Sequence, residues 1–275
     1  MPTYTLTFGD CAENHVGMQK IGNILDHGLS VNELKNYEKY FRENGLTTEL
    51  IELNRFADVN EDDAYLLVIR NAVNFILNRN DGTDLLLNEQ ERLEYDKKAF
   101  MRGEVKNKNA RHNICFGEIN QQPNYEEKKG TIVSFYDVFY LDECRRFISE
   151  ITGITNLQCE GNHYYNIKNT YIGFHGDTER KVVVAIRLGE SFPLHYRWYQ
   201  NSNAIGEQFS IMLNSGDMYF MSEKAVGTDW KKRKIATLRH AAGFKVPNLD
   251  EMIIKKERRF TRYNRVTAEY DVFYL

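Results

Sequence analysis

The amino-acid sequence predicts an α+β protein in which a smaller mixed α/β region at residues 1–95 precedes a β-rich domain at residues 96–275. Before residue 95, apolar residues follow helical spacing in some segments and strand spacing in others. After residue 110 the pattern changes to many short β-runs, spaced about 8–12 residues apart. Such runs are typical of a sandwich or barrel, here of the double-sheet jelly-roll type.

The N-terminal region begins with a predicted strand and a predicted helix. Residues 4–8 alternate between apolar and polar side chains, as in a short strand. Ser30 is followed three residues later by Glu33, which is the pattern of a capping box at a helix start. The helical spacing then continues to Gly45, a residue that favours helix ends.

A second strand, a second helix and a connection complete this region. Residues 49–53 have the pattern of a strand, and a strongly apolar helix is predicted from residue 60 or 61 through residue 77. Residues 81–109 are polar and charged, and we interpret them as the connection between the two parts, with a short helix near residues 89–100.

The β-rich region is predicted from nine short runs and one helix. The helix is capped by Asp142 and ended by Gly153. The runs are residues 113–116, 131–135, 164–167, 182–188, 195–199, 209–213, 217–221, 235–240 and 259–263.

Composition restricts the class of protein. Hydrophobic residues at 42% and charged residues at 27% of 275 are typical of a globular chain. The longest apolar run, residues 64–77, is shorter than the ~20 residues that a membrane helix needs. The N-terminus lacks the pattern of a secretion signal, and four scattered cysteines form no metal or disulfide motif. We therefore expect an intracellular, soluble protein that does not contact a membrane.

The net charge of −3 conceals a basic segment. Residues 222–265 contain 13 Lys/Arg and 5 Asp/Glu, a local charge of +8, so the remainder carries −11. This segment is either a surface that binds phosphates or an ordinary solvated strand and loop.

A His-x-Asp pair is the most informative chemical motif. On a strand, His175 and Asp177 would point to the same face, because strand side chains alternate. One imidazole and one carboxylate are two thirds of the facial triad that binds non-haem Fe(II). His240, which lies 65 residues downstream on another predicted strand, is the candidate third ligand. A core histidine that is bonded to a backbone carbonyl is the alternative for His240.

From about residue 111 to residue 262, the chain resembles the AlkB-like family of Fe(II)/2-oxoglutarate-dependent dioxygenases. Asn162-x-Tyr164 precedes the His-x-Asp pair by about a dozen residues, as in that family. The metal motif with Glu179 two residues after the aspartate is similar, and Arg111 resembles the arginine of the family's nucleotide-recognition lid. Segments 186–189, 194–198 and 216–222 follow in the family's order.

The resemblance implies a double-stranded β-helix (jelly-roll) that binds Fe(II) and uses 2-oxoglutarate and O2 to demethylate or hydroxylate a nucleic-acid base, as in DNA repair. No obligate protein partner is implied. The implied metal ligands are His175, Asp177 and His240. The implied cosubstrate-binding residues are Asn162, Tyr164, Arg258, Arg259 and Arg262, of which adjacent Arg258 and Arg259 cannot both point inward.

Substrate binding is also implied by the resemblance. Glu179 is expected to face the exocyclic amine of a flipped base. The residues expected to bind nucleic acid with it are Arg111, Lys231, Lys232 and Arg233. The alternative for Glu179 is a surface ion pair with Arg180 or Lys181.

Two choices remain open at this point. In a second alignment with the family, Asp229 takes the place of the third metal ligand, and Arg233 and Arg239 bind the cosubstrate. His240 is preferred as the third ligand, because a site built with it requires no unusual ligand. Competing functions are a hydroxylase of a protein or small molecule and a non-catalytic jelly-roll nucleic-acid-binding module. Residues 1–95 contain no catalytic pattern, and no role is predicted for them.

Overall fold

A computed structural model, which describes residues 2–248, has a mixed α+β fold made mostly of strands, as predicted. The strands are β1 (Thr3–Gly9), β2 (Cys11–Glu13), β3 (Lys20–Gly22), β4 (Thr48–Glu52), β5 (Tyr65–Ile69), β6 (Lys98–Met101), β7 (Glu104–Asn107), β8 (His112–Gly117), β9 (Ile132–Ser134), β10 (Gln158–Tyr164), β11 (Ile172–His175), β12 (Val183–Gly189), β13 (Phe192–Gln200), β14 (Asn203–Leu213), β15 (Met218–Met221) and β16 (Thr237–Ala242). The helices are α1 (Val31–Glu43), α2 (Ala72–Ile76), α3 (Gly82–Glu91), α4 (Phe139–Thr152) and α5 (Glu223–Val226).

Two sheets form the body of the protein. The larger has eight strands in the order β4-β5-β15-β12-β1-β10-β8-β9, and the smaller has the order β11-β16-β13-β14. Strand β1 lies between β10 and β12 and pairs with both in antiparallel register. Three strands of the larger sheet therefore come from residues 1–95, so the predicted boundary at residue 95 crosses a continuous sheet.

The larger sheet packs on both of its faces. On one face, Val184 and Ile186 contact the cluster that contains helices α1 and α4. On the other face, Val183 and Ala185 join Trp198 and other residues of the smaller sheet. This alternation follows the two-residue period of a strand, and it directs odd-numbered β12 side chains towards the space between the sheets.

Several helix signals are confirmed. Ser30 and Glu33 make the predicted capping box at the start of α1, and Gly153 ends α4 in the left-handed conformation, with φ of 70°. The predicted cap of α4 is wrong, because the helix starts at Phe139. Asp142 lies within its first turn and pairs with Arg145.

The apolar helix predicted for residues 60–77 is also wrong. Residues 65–69 form β5, and only Ala72–Ile76 is helical. Because β5 is buried on both faces between β4 and β15, its residues are continuously apolar and show no period that separates strand from helix.

Two smaller predictions also differ from the structure, and a third falls outside the described residues. The helix predicted near residues 89–100 ends at Glu91, and β6 pairs with β7 beyond it. The strand predicted at residues 164–167 lies earlier, as β10, while the run at residues 259–263 lies outside the described residues. Between residues 2 and 248, no helix is long and apolar enough to cross a membrane.

Candidate metal centre and its cavity

Three side chains converge at one end of the space between the sheets. His175 is the last residue of β11, Asp177 follows two residues later, and His240 on β16 lies directly opposite His175 in the sheet register. One potential ligand atom from each of them lies within 4.8 Å of the others. The Nε2 atoms of both histidines are 3.6 Å from Asp177 Oδ1. Donors bound about 2 Å from one metal ion are separated by comparable distances.

The chain after β11 is shaped to bring Asp177 to the histidines. The backbone N–H of Asp177 donates to the carbonyl of Val226 at 3.1 Å, which ties this turn to α5. Gly176 allows the close approach, because a Cβ there would lie 2.1 Å from the carbonyl oxygen of Gly227. A larger residue at position 176 would therefore displace the carboxylate.

The protonation states suit metal binding. His175 Nδ1 lies 2.8 Å from the carbonyl oxygen of Gly173, which can only accept, so Nδ1 carries the proton and Nε2 presents a lone pair. Burial, together with the nearby His240, lowers the pKa of His175 to about 3. Burial alone would raise the pKa of Asp177, but the bond from His240 and the charge of Arg180 hold it well below its usual range.

These three groups fit a divalent transition metal. Two imidazoles and one ionised carboxylate form the donor set of non-haem Fe(II) sites. The Nδ1 atom of His240 is buried and has no hydrogen-bond partner among the described residues, which is the one imperfect feature of the set.

The triad opens into a cavity of about 520 Å³ that residues of both sheets line. Its wall includes a row of polar side chains, because Asn162, Thr5 and Arg187 lie opposite one another on β10, β1 and β12. Asn162 Oδ1 accepts hydrogen bonds from Arg111 Nε and from Asn113 Nδ2. Because these bonds occupy the amide oxygen, the amide nitrogen is the group of Asn162 that remains available as a donor.

Arg187 is a buried cation without a carboxylate partner. Its exposed fraction is 0%, Nη1 donates to Thr5 Oγ1, and Nε has no partner. Between residues 2 and 248, no carboxylate forms an ion pair with Arg187; Asp217, whose charge acts on it, pairs with Arg70 at 2.6 Å. Burial lowers the pKa of Arg187. The guanidinium lies 5.2 Å from the ring centre of Phe192.

Sequence reasoning missed Arg187. The available signal was an arginine in the middle of an apolar strand, which indicates a buried charge. Of the residues predicted to bind the cosubstrate, Asn162 and Tyr164 line the cavity with the triad. Arg258, Arg259 and Arg262 lie outside the described residues.

Glu179 lines the cavity but has a protein partner. Its carboxylate accepts from Arg180 Nη2 at 3.0 Å, and Arg180 is in turn paired with Glu160. Burial and the neighbouring Asp177 raise the pKa of Glu179. The pairing with Arg180 considered from the sequence is thus present, although it lies in the cavity wall and not at the open surface.

The predicted nucleic-acid-binding residues divide into two groups. Arg111 and Lys231 line the cavity, whereas Lys232 and Arg233 are exposed and do not. Lys231 Nζ lies 5.4 Å from the ring centre of Trp230, which also lines the cavity.

The residues that the second alignment would place at the metal and the cosubstrate do not come together in the structure. Asp229 pairs with Lys224 at 2.9 Å and does not belong to the metal-binding group. Arg239 stacks on Tyr199, 4.0 Å from the ring centre, and does not line the cavity. Arg233 is exposed.

Comparison with known proteins gives one informative relative. No protein-family model matches the chain. The chain is 51% identical over 245 residues to the uncharacterized protein R156 of Acanthamoeba polyphaga mimivirus, a match that covers 88% of this chain and 95% of R156. The chain therefore belongs to the same protein family as mimivirus R156.

Proposed function

We propose that this protein is an Fe(II)- and 2-oxoglutarate-dependent dioxygenase of the AlkB-like type that oxidises a nucleic-acid base. One observation carries the proposal: a single cavity contains a two-histidine, one-carboxylate triad and a buried arginine without a carboxylate partner. The triad suits the metal, and the arginine suits a dicarboxylic cosubstrate.

The metal would be held by His175, Asp177 and His240. Three protein ligands leave further coordination positions for other molecules. Bound Fe(II), with 2-oxoglutarate and O2, supplies the oxidising power to hydroxylate a C–H bond and yields succinate and CO2. The protein's own contribution is to hold the three ligands together, to keep the His175 imidazole neutral and to keep the Asp177 carboxylate ionised.

The far carboxylate of the cosubstrate would bind Arg187. Arginine binds carboxylates through two parallel hydrogen bonds, and the free Nε of Arg187 is available for one of them. Thr5, Asn162 and Tyr164 line the same wall and provide further hydroxyl and amide donors. This assignment gives Arg187 the role that the sequence resemblance suggested for the arginines after residue 257.

The rest of the cavity would position the substrate and exclude water. Its apolar lining includes Val183, Leu194, Met221 and Ala242. An apolar wall strengthens the electrostatic contacts of the metal and of Arg187 by lowering the local dielectric.

The surface beside the cavity supports a nucleic-acid substrate. Residues 231–234 are four consecutive exposed cations, and Lys231 also lines the cavity. Cations in this position can bind phosphates, while the indole of Trp230 in the cavity wall offers a surface on which a base could stack.

The sheet arrangement supports the double-stranded β-helix as the fold. Two mainly antiparallel sheets pack face to face, and the metal-binding residues lie on or directly after strands of the smaller sheet. In that fold, β1 would be a central strand of the larger sheet, between β12 and β10.

The test is succinate release from 2-oxoglutarate with Fe(II) and ascorbate. Turnover is expected for the wild type and is expected to be lost in His175→Ala and in His240→Ala. His112→Gln is the matched control, because His112 lies on β8 and does not line the cavity. No iron binding and no turnover in the folded wild type would contradict the proposal.

A further inference from the structure

A buried arginine beside the metal triad contacts three carboxylates. Arg180 is 3% exposed, and its Nε lies 3.5 Å from Oδ2 of Asp177. Its Nη2 donates to Glu179 Oε1 at 3.0 Å and also to Glu160 Oε2. One cation therefore joins a proposed metal ligand to two glutamates that line the same cavity.

The larger sheet holds this guanidinium in place. Glu160 is on β10 and is itself buried, with an exposed fraction of 5%. Its Oε1 accepts a hydrogen bond from Asn113 Nδ2 at 3.4 Å and lies 4.0 Å from Arg111 Nη2. Glu160 therefore anchors Arg180 from the larger sheet, whereas the other two carboxylates follow β11 of the smaller sheet.

Glu179 is a carboxylate that could compete for a position at the metal. It lies two residues after Asp177, lines the cavity, and its Oε1 is 3.3 Å from Arg180 Nε. Because Asp177 Oδ2 is 3.5 Å from that same nitrogen, the two carboxylates are neighbours on one guanidinium. Glu179 nevertheless lies outside the group of three potential metal ligands.

A free carboxylate in this place would change the metal site. Carboxylates bind divalent metals, and the long side chain of glutamate has several rotamers available to it. A fourth protein ligand would occupy a coordination position that the cosubstrate or O2 needs under the proposed function. The fork of an arginine binds a carboxylate through charge-assisted hydrogen bonds, so it can keep a glutamate from the metal without leaving it unpaired.

We propose that Arg180 is a positioning residue that holds the carboxylate of Glu179 away from the metal triad, so that the triad keeps three protein ligands. The inference rests on the proposed function, which requires open coordination positions at the metal. In this role Arg180 acts through Glu179, while Glu160 fixes the position of the guanidinium.

Two binding affinities test this role without turnover: that of the protein for Mn(II), and that of the Mn(II)-loaded protein for 2-oxoglutarate. Both are measured by anaerobic calorimetry. In Arg180→Met, Mn(II) is expected to bind about tenfold more tightly or better, because a fourth carboxylate joins the site. The cosubstrate is expected to bind about tenfold more weakly or worse, because that carboxylate takes one of its positions.

A pair of double variants separates ligation by Glu179 from a change in charge. Arg180→Met/Glu179→Gln is expected to return both affinities close to the wild-type values. Arg180→Met/Glu160→Gln restores the net charge equally but leaves the carboxylate of Glu179 free, so it should behave like Arg180→Met. Equal recovery in the two double variants would overturn the proposal, because charge alone would then explain the effect.

Folding is controlled with a conservative variant and with a distant arginine. Removing Arg180 leaves buried carboxylates without their cation, so stability is expected to fall. If Arg180→Met does not fold, Arg180→Lys with the same second substitutions replaces it; one ammonium cannot bind three carboxylates as the fork does, so smaller changes in the same directions are expected. Arg145→Met should leave both affinities unchanged, because Arg145 pairs with Asp142 at 2.7 Å and with Glu118 at 3.5 Å but does not line the cavity.

The outcomes also distinguish this proposal from the proposed function. If the wild type binds Mn(II) and 2-oxoglutarate and Arg180→Met binds both with unchanged affinity, the role of Arg180 is refuted while the dioxygenase stands. Weak cosubstrate binding that persists after Glu179→Gln is added would also refute it, because Arg180 would then act without Glu179. If the folded wild type binds no Mn(II), the proposed function fails first.

Discussion

Replacing Arg187 with methionine should affect cosubstrate binding and protein stability in opposite directions. The guanidinium is fully buried, and among residues 2–248 its only side-chain hydrogen bond is the one from Nη1 to Thr5. Methionine is of similar length and carries no charge, so it fills the space without requiring a partner. Without ligand, the variant is therefore expected to be as stable as the wild type or more stable.

Cosubstrate binding should weaken markedly in the same variant. A hydrogen bond to a charged group contributes about 1.5–3 kcal/mol, and the free Nε of Arg187 can make at least one such bond to a carboxylate. A loss of about 2–3 kcal/mol corresponds to roughly a 30- to 150-fold increase in Kd. Arg187→Lys keeps the charge but not the planar pair of donors, so its loss should be intermediate.

The assay is anaerobic calorimetry of 2-oxoglutarate binding to the Mn(II)-loaded protein, with thermal unfolding of the same samples. Arg197→Met is the matched control, because Arg197 is buried on β13 of the smaller sheet but does not line the cavity. A Kd for 2-oxoglutarate that is unchanged in Arg187→Met would refute the reasoning. So would an equal loss in Arg197→Met.

Three further predictions concern the metal, pH and helix capping. His240→Ala should abolish stoichiometric Fe(II) binding, as measured by iron content after gel filtration. Asp229→Asn should lower the melting temperature, because Asp229 loses its pair with Lys224, but it should keep iron binding. Loss of iron in Asp229→Asn would contradict the site. Burial lowers the pKa of His163 to about 4. Between about pH 6.5 and pH 4, the unfolded chain therefore binds a proton at this residue that the folded protein does not bind. The free energy of unfolding falls as the pH is lowered through this range. His163→Phe should therefore lose less melting temperature between pH 7 and pH 5 than the wild type, and an equal loss would contradict this. Ser30→Ala removes the cap of α1 and should cost about 1 kcal/mol, or about 2–4 °C in Tm, whereas a Tm unchanged by calorimetry would count against the cap.

The sequence indicated the members of the triad but not the charges around it. His175 and Asp177 lie two residues apart, and His240 was one of few histidines on a later strand, so residue type and spacing favoured this set while leaving Asp229 open as an alternative to His240. The role proposed for Arg187 depends on its burial and on the absence of a carboxylate partner among the described residues. Both properties arise from residues far away in the sequence, so no local pattern indicates them.

The fold was predictable where local signals are strong. The capping box of Ser30 and the glycine at position 153 identify helix ends, because their effects are local. Strand β5 was mistaken for a helix because burial on both faces removes its period. The membership of β1 in the larger sheet was not predictable, since its partners are about 150 or more residues away.

The central position of β1 has a consequence for biosynthesis. The hydroxyl of Thr3 bonds to the carbonyl of Leu188, which is 185 positions later in the chain. At a synthesis rate of about 5–20 residues per second, β1 waits on the order of 10 s or longer on the ribosome before β12 emerges. During that time an alternating, aromatic-containing strand has neither neighbour, and such strands readily pair with other chains. Yield in a heterologous host is therefore expected to depend on chaperone supply and on growth temperature more than on the stability of the finished protein.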